Sequence, residues 1–188
     1  IDSFIETTRT SAGKLQYLHN GAWKDASCRD EVVKYRNTPE SVPVGPPVRE
    51  AVVQVCRTIH GPIVARAGNL ARSVQYGMWM HEIETVEGVL GWNKAKDIAE
   101  FRAATAKVTW NENVMYAGVD GHIGYWHPGR NPRHHPRWDT RFPAPGTGEY
   151  DNQGLLPFAS LPHSVDPSVG YLANWNNKPA QGWADDYL

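Results

Sequence analysis

CRDEVVKYR at residues 28–36 and VREAVVQVCR at residues 48–57 carry the first reading of the fold. Both are rich in Val and bounded by turn-forming residues, as strands are. The Pro-rich connection TPESVPVGPP lies between them. An antiparallel hairpin centred near Val42 sets Cys28 opposite Cys56, and directly opposed residues have Cβ atoms close enough to bridge. The alternatives are a disulfide, which favours an oxidising compartment, and two buried free thiols. Two cysteines alone do not make a structural zinc site, which takes four ligands.

Toward the N-terminus, YLHNGAWK (Tyr17–Lys24) holds Asn20-Gly21 between apolar flanks, the strongest short hairpin signal. The strand begun at residue 48 runs on to about 66, broken by His60-Gly61-Pro62, and Gln75–Met80 reads as a further strand. From Glu82 the spacing changes: Ile83, Val86 and Leu90 recur at three to four residues, an amphipathic helix broken near Gly91. Asn93 can cap a second helix to about Lys107, with Ile98, Phe101 and Ala104 or Thr105 on its buried face. NVMYAGVDGHIGYWH (Asn113–His127) reads as a hairpin with Asp120-Gly121 at its tip, and alternation places Val119, Ile123 and Tyr125 on a buried face. Residues 128–169 hold eight of the prolines and predict a long ordered loop, a kind of segment that is usually functional.

The 188 residues suffice for one globular domain with its own core. A net charge of −1 gives no field to draw in nucleic acid or an anionic membrane. No apolar run reaches the roughly 20 residues of a membrane span. The opening IDSFIETT has neither an initiator Met nor a basic, apolar leader, and reads as a processed or truncated terminus.

Few stretches carry chemistry. His134 and His135 in RNPRHHPRW are sequence neighbours among Pro and Arg, a solvated basic loop rather than a metal site. His60 and His127 stand beside Gly or Pro at strand ends and read as structural turn residues. The eight Trp are spread through every kind of element, so packing explains most of them better than sugar binding does. GYLANWNNKP (Gly170–Pro179) is left, with three Asn in four residues. It is either an Asx-rich turn ending a strand Tyr171–Ala173 or an amide N–H aimed at developing negative charge.

Six landmarks in order resemble the β-subunit of penicillin acylases, enzymes of the N-terminal-nucleophile hydrolase superfamily: YLHNGAWK, CRTIHGPIV, MYAGVDGHIGYWHPG, DTRFPAPGTGEY, GLLPF and GYLANWNNKP. The resemblance covers nearly the whole chain. It implies an α+β fold, part of an αββα sandwich of antiparallel sheets between helical layers, with residues 1–188 a partial β-subunit domain. It also implies a secreted or periplasmic precursor cut autocatalytically into two chains. The nucleophile would be a serine at the new β-subunit N-terminus, activated by its own α-amine to form an acyl-enzyme. Ile1 then falls downstream of that serine, so the α-chain and the N-terminal part of the β-chain are the expected partners.

By the same resemblance Asn176 is the oxyanion residue, Trp175 walls the active site, and Val89 faces the acyl pocket. Structural calcium is implied at the Asp2 carboxylate, the Ile1 and Thr140 carbonyls, and Asp186 (or Asp185), hard oxygen ligands that suit the ion. The expected substrate is an acyl amide. The rival expectation is a non-catalytic binding or structural module that keeps the family's sheet.

Overall fold

A computed structural model describes residues 1–35 and 49–183. The chain forms two compact units, one of Ser3–Val74 with Pro145–Gly148, the other of Ile1–Asp2, Gln75–Ala144 and the described residues from Glu149 onward.

The first unit is built on strands β1 (Asp2–Ser11), β2 (Lys14–His19), β3 (Ala22–Asp25), β4 (Ser27–Tyr35), β5 (Arg49–Thr58), β6 (Gly61–Ala67) and β7 (Leu70–Gln75), ordered β3-β2-β1-β7-β6-β5-β4 in one sheet. His19 pairs with Ala22, leaving Asn20 and Gly21 as a two-residue turn with φ of 51° and 73°. Positive φ at both positions is the type I′ geometry that matches strand twist, and Asn-Gly supplies it at least cost. In the β4–β5 pair Cys28 stands opposite Cys56, and the two form a disulfide. Cys56 is buried but Cys28 is exposed, so the pair of buried thiols is not what the chain builds. The expected hairpin centre, Val42, lies outside the described residues.

Alternation along β1 turns Asp2, Phe4, Glu6 and Thr8 inward. Phe4 stacks on His60 at 4.0 Å. Glu6, fully buried, accepts hydrogen bonds at one carboxylate oxygen from Thr58 Oγ1 (2.7 Å), Ser73 Oγ (2.7 Å) and His60 Nδ1 (2.9 Å). His60 is therefore a buried partner of Glu6 at the β5–β6 turn, in keeping with a structural role.

The second unit carries helices α1 (Glu82–Trp92) and α2 (Ile98–Thr105) and a three-stranded sheet in which β9 (Ile123–Trp126) lies between β8 (Val114–Ala117) and the short strand His163–Val165. α2 buries the expected face, but its N-cap is Asp97, whose carboxylate accepts from the Glu100 N–H at 2.8 Å, rather than Asn93. The strand expected over Gln75–Met80 ends at Gln75, and residues 77–80 are a turn. Residues 128–162 are almost without regular structure, as their prolines require; beyond the bridge Pro132–Leu155 they form only a two-residue strand at Ala144–Pro145 and a single 3-10 turn at Phe158–Ser160.

Two apolar patterns resolve differently from their spacing. Ile83, Val86 and Leu90 are exposed, while Thr85 and Gly88 are the buried residues of α1. The two helices meet through glycine rather than through the apolar stripe, because only there can their backbones approach closely. Val119 is fully exposed at the β8–β9 turn; the buried positions of that hairpin are Val114, Gly124 and Trp126. Of the eight Trp, only Trp126 is buried, so packing in the core accounts for fewer of them than their spread suggests.

Candidate functional site

The segment Gly170–Pro179 does not continue a strand: residues 171–174 have no regular structure, and 175–176 form a bend. Two side chains give it its shape through three hydrogen bonds. Asn174 Oδ1 accepts the Asn176 N–H at 2.9 Å, an Asx turn that holds Asn176 at φ 59°. Asn177 Oδ1 accepts the Trp175 N–H at 3.3 Å, and Asn177 Nδ2 donates to the Lys178 carbonyl at 2.9 Å. Asn174 thus uses its amide oxygen, and Asn177 both of its amide atoms, to fix the loop. Asn176 and Trp175 are exposed, Trp175 at 76%.

The loop is tied to the β8–β9 sheet by Asn113, the residue before β8. Asn113 Nδ2 donates to Asn174 Oδ1 and to the Asn177 carbonyl, each at 3.1 Å. Its Oδ1 accepts from Tyr125 Oη at 2.6 Å and lies 3.1 Å from His127 Nδ1. With both amide hydrogens committed to the loop, Oδ1 can only accept, so His127 Nδ1 carries a proton. The sheet places these groups: Val114 pairs with Trp126, which brings Asn113 beside His127, and Tyr125 and His127 share one face of β9 while Trp126 fills the other.

The other residues singled out in the sequence lie apart in character. Val89 is half-buried on α1. Asp2 is buried, and its carboxylate oxygens accept from His134 Nε2 at 2.9 Å and Asn152 Nδ2 at 2.8 Å. Burial pushes the Asp2 carboxyl up, but the His134 hydrogen bond and charge, with help from Asn152, outweigh it and leave the group below its ordinary range. Asn152 Nδ2 also donates to Gln75 Oε1 at 2.6 Å. His134 is thus more than a solvated loop residue. Both groups bonded to Asp2 are nitrogen donors, but each carboxylate oxygen keeps a lone pair beyond the one given to its hydrogen bond, and carboxylate oxygen suits a hard cation. Thr140 is half-buried, the Ile1 side chain is exposed, and Asp185 and Asp186 lie outside the described residues.

A small cleft of about 160 Å³, lined in part by Glu84, Lys107, Arg130, Leu155 and Phe158, holds none of these groups. Asn113 was not singled out in the sequence. A lone Asn before a strand carries no motif, and the residues it holds are 61 and 64 positions away.

Sheet-rich α+β architecture and an ordered Asn-rich loop define the class to which known proteins can be compared. Residues 1–187 match the penicillin amidase family. The chain is 35% identical over 187 residues, 97% of its length, to penicillin G acylase of Escherichia coli, covering 21% of that protein. It is 29% identical over 143 residues to the penicillin acylase 2 proenzyme of Pseudomonas sp. (strain SE83), covering 71% of this chain and 18% of that protein. Among solved structures, a thermostable penicillin G acylase from Alcaligenes faecalis matches with a TM-score of 0.85 at 29% identity, over 98% of this chain and 32% of that one. The chain belongs to the penicillin amidase family, and it spans between about a fifth and a third of these relatives.

Proposed function

We propose that this chain is a segment of the β-subunit of a penicillin-acylase-type amidohydrolase and supplies Asn176 to its oxyanion hole. The chemistry is attack of an N-terminal serine, carried by a preceding segment, on an acyl-amide carbonyl. The serine's α-amine takes the hydroxyl proton and passes it to the leaving nitrogen as the C–N bond breaks. Water, giving a proton to the same amine, then attacks the ester, and that proton returns to the serine oxygen as the acid departs. The carbonyl oxygen gains charge in each tetrahedral intermediate, and an amide N–H held in place stabilises that charge without reorganising. Asn176 suits the role because its exposed side chain stands on a loop whose turn is fixed by the Asn174 amide oxygen and by both amide atoms of Asn177. That division of labour is the observation that carries the reading.

In this reading Trp175 walls the site, Val89 contributes to the acyl pocket, and the chain supplies part of an αββα fold whose other parts come from the α-chain and the N-terminal β-segment. Calcium would be held structurally by the Asp2 carboxylate, the Ile1 and Thr140 carbonyls and Asp186, tying the chain's start to its later loops. Secretion or a periplasmic site is supported by the Cys28–Cys56 disulfide. No helix among the described residues is long and apolar enough to cross a membrane.

Steady-state kinetics of the processed enzyme on a phenylacetyl-amide chromogen test the assignment. Asn176→Ala is expected to lower kcat by about 10²–10³, the usual cost of one oxyanion donor. An unchanged kcat sinks the assignment. Added calcium chelator is expected to lower the melting temperature, and Asp2→Asn to abolish that sensitivity.

A further inference from the structure

We propose that Asn113 is the positioning residue of the Asn176 loop, through a relay that runs from the β8–β9 sheet to the Asn176 main chain; the inference rests on the oxyanion reading above. Oxyanion stabilisation depends on where the donor sits before charge develops, and an error of an ångström can cost about 10²-fold in rate. Asn176 lies on a segment without ladder hydrogen bonds and in a left-handed conformation. Such a segment needs an external reference.

Asn113 supplies it at two points. Its amide donates to Asn174 Oδ1, the same atom that accepts the Asn176 N–H, and to the Asn177 carbonyl on the far side of Asn176. The loop is thus gripped before and after the residue whose placement matters. Asn113 is in turn fixed from behind, because Tyr125 Oη and His127 Nδ1 both point at its Oδ1. Tyr125 lies on β9, and the chain leaves β9 at His127. The four hydrogen bonds use both amide hydrogens and both lone pairs, so rotation of the amide by 180° would break all of them. Only Asn has this length with donors on one side and an acceptor on the other. Gln is longer, and Asp cannot donate.

Asn113→Asp separates the two arms. It keeps the acceptor facing Tyr125 and His127 but sets oxygen against Asn174 Oδ1 and the Asn177 carbonyl. On the processed enzyme with the phenylacetyl-amide chromogen, we expect kcat to fall about 10- to 100-fold with KM nearly unchanged. The same substitution added to Asn176→Ala should cost nothing more, because the group it positions is gone. Should Asn113→Asp fail to accumulate folded, Tyr125→Phe reads the relay from its other end, with a several-fold drop in kcat that likewise vanishes in the Asn176→Ala background. Wild-type kcat in these variants, or a loss that multiplies with that of Asn176→Ala, overturns the positioning role while leaving the oxyanion reading intact. Wild-type kcat in Asn176→Ala alone removes the oxyanion reading and the relay's purpose with it.

Discussion

Gly91 of α1 faces Ala104 of α2 so closely that a Cβ added at position 91 would stand 2.7 Å from the Ala104 Cβ. One turn earlier a Cβ at Gly88 would lie 2.8 Å from Val108 Cγ2 and 2.9 Å from the Ala104 carbonyl. Carbon atoms do not approach to such distances, so the helix pair is held at a separation that only glycine permits.

Gly91→Ala sets two effects against each other. Alanine favours a helix over glycine by about 1 kcal/mol. Overpacking a fixed contact costs about 1–3 kcal/mol, and Ala104 has no rotamer with which to move aside. The expected net result is destabilisation of about 1 kcal/mol, read as a lower guanidinium midpoint. Ala104→Gly in the same molecule should recover part of the loss, giving a favourable coupling in the double-mutant cycle. A variant more stable than wild type would show that the helices separate at little cost.

The same logic operates inside β9. Gly124 and Trp126 share a face of the strand, and the Trp126 indole folds back over the place where a Cβ at 124 would be, with the Ile98 Cδ1 at 3.3 Å on the other side. Trp126 is 2% exposed and packs against Phe101 with ring centroids 6.0 Å apart. Gly124→Ala should push the indole out of its site and cost about 1–3 kcal/mol. Trp fluorescence would shift to the red as the ring meets water. A wild-type emission maximum with unchanged stability would contradict the packing described.

These cases show which features were legible in the sequence. The Asn20-Gly21 turn and the Cys28–Cys56 register follow from rules that act over a few residues or across one hairpin, and both could be read directly. The buried face of α1 could not. Ile83, Val86 and Leu90 make a proper amphipathic stripe, but closeness of backbones at Gly88 and Gly91 decided which side turns inward. The oxyanion reading of Asn176 rests on the order of family landmarks, since its own neighbourhood also describes a polar turn. Asn113 was hidden because its partners come from the far end of the chain, a relationship that periodicity does not encode.

The disulfide joins residues 28 positions apart. Closing a loop of that length in the unfolded chain is worth about 3–4 kcal/mol by the chain-entropy estimate. Cys28→Ala with Cys56→Ala should lower stability by about 2–4 kcal/mol, and reductant should lower the wild type to a similar degree while leaving the double variant unchanged. Equal melting temperatures for oxidised wild type and double variant would contradict this.

Glu6 makes the first unit sensitive to acid. Burial alone would raise its carboxyl above the ordinary 4.5, but the hydrogen bonds from His60, Ser73 and Thr58 outweigh burial and hold it lower. A depressed folded-state value means that the unfolded chain takes up this proton first on acidification. The stabilisation is therefore complete above about pH 4.5 and is lost as the pH falls through the lower folded value. Glu6→Gln keeps the shape and removes the charge, so at pH 7 it should cost about 1–3 kcal/mol, the worth of hydrogen bonds to an ionised acceptor. Guanidinium unfolding of both proteins between pH 3 and pH 7 should show two curves that converge toward the acid end. Parallel curves would mean that the carboxylate is not the group through which acid acts on the Phe4–His60 core.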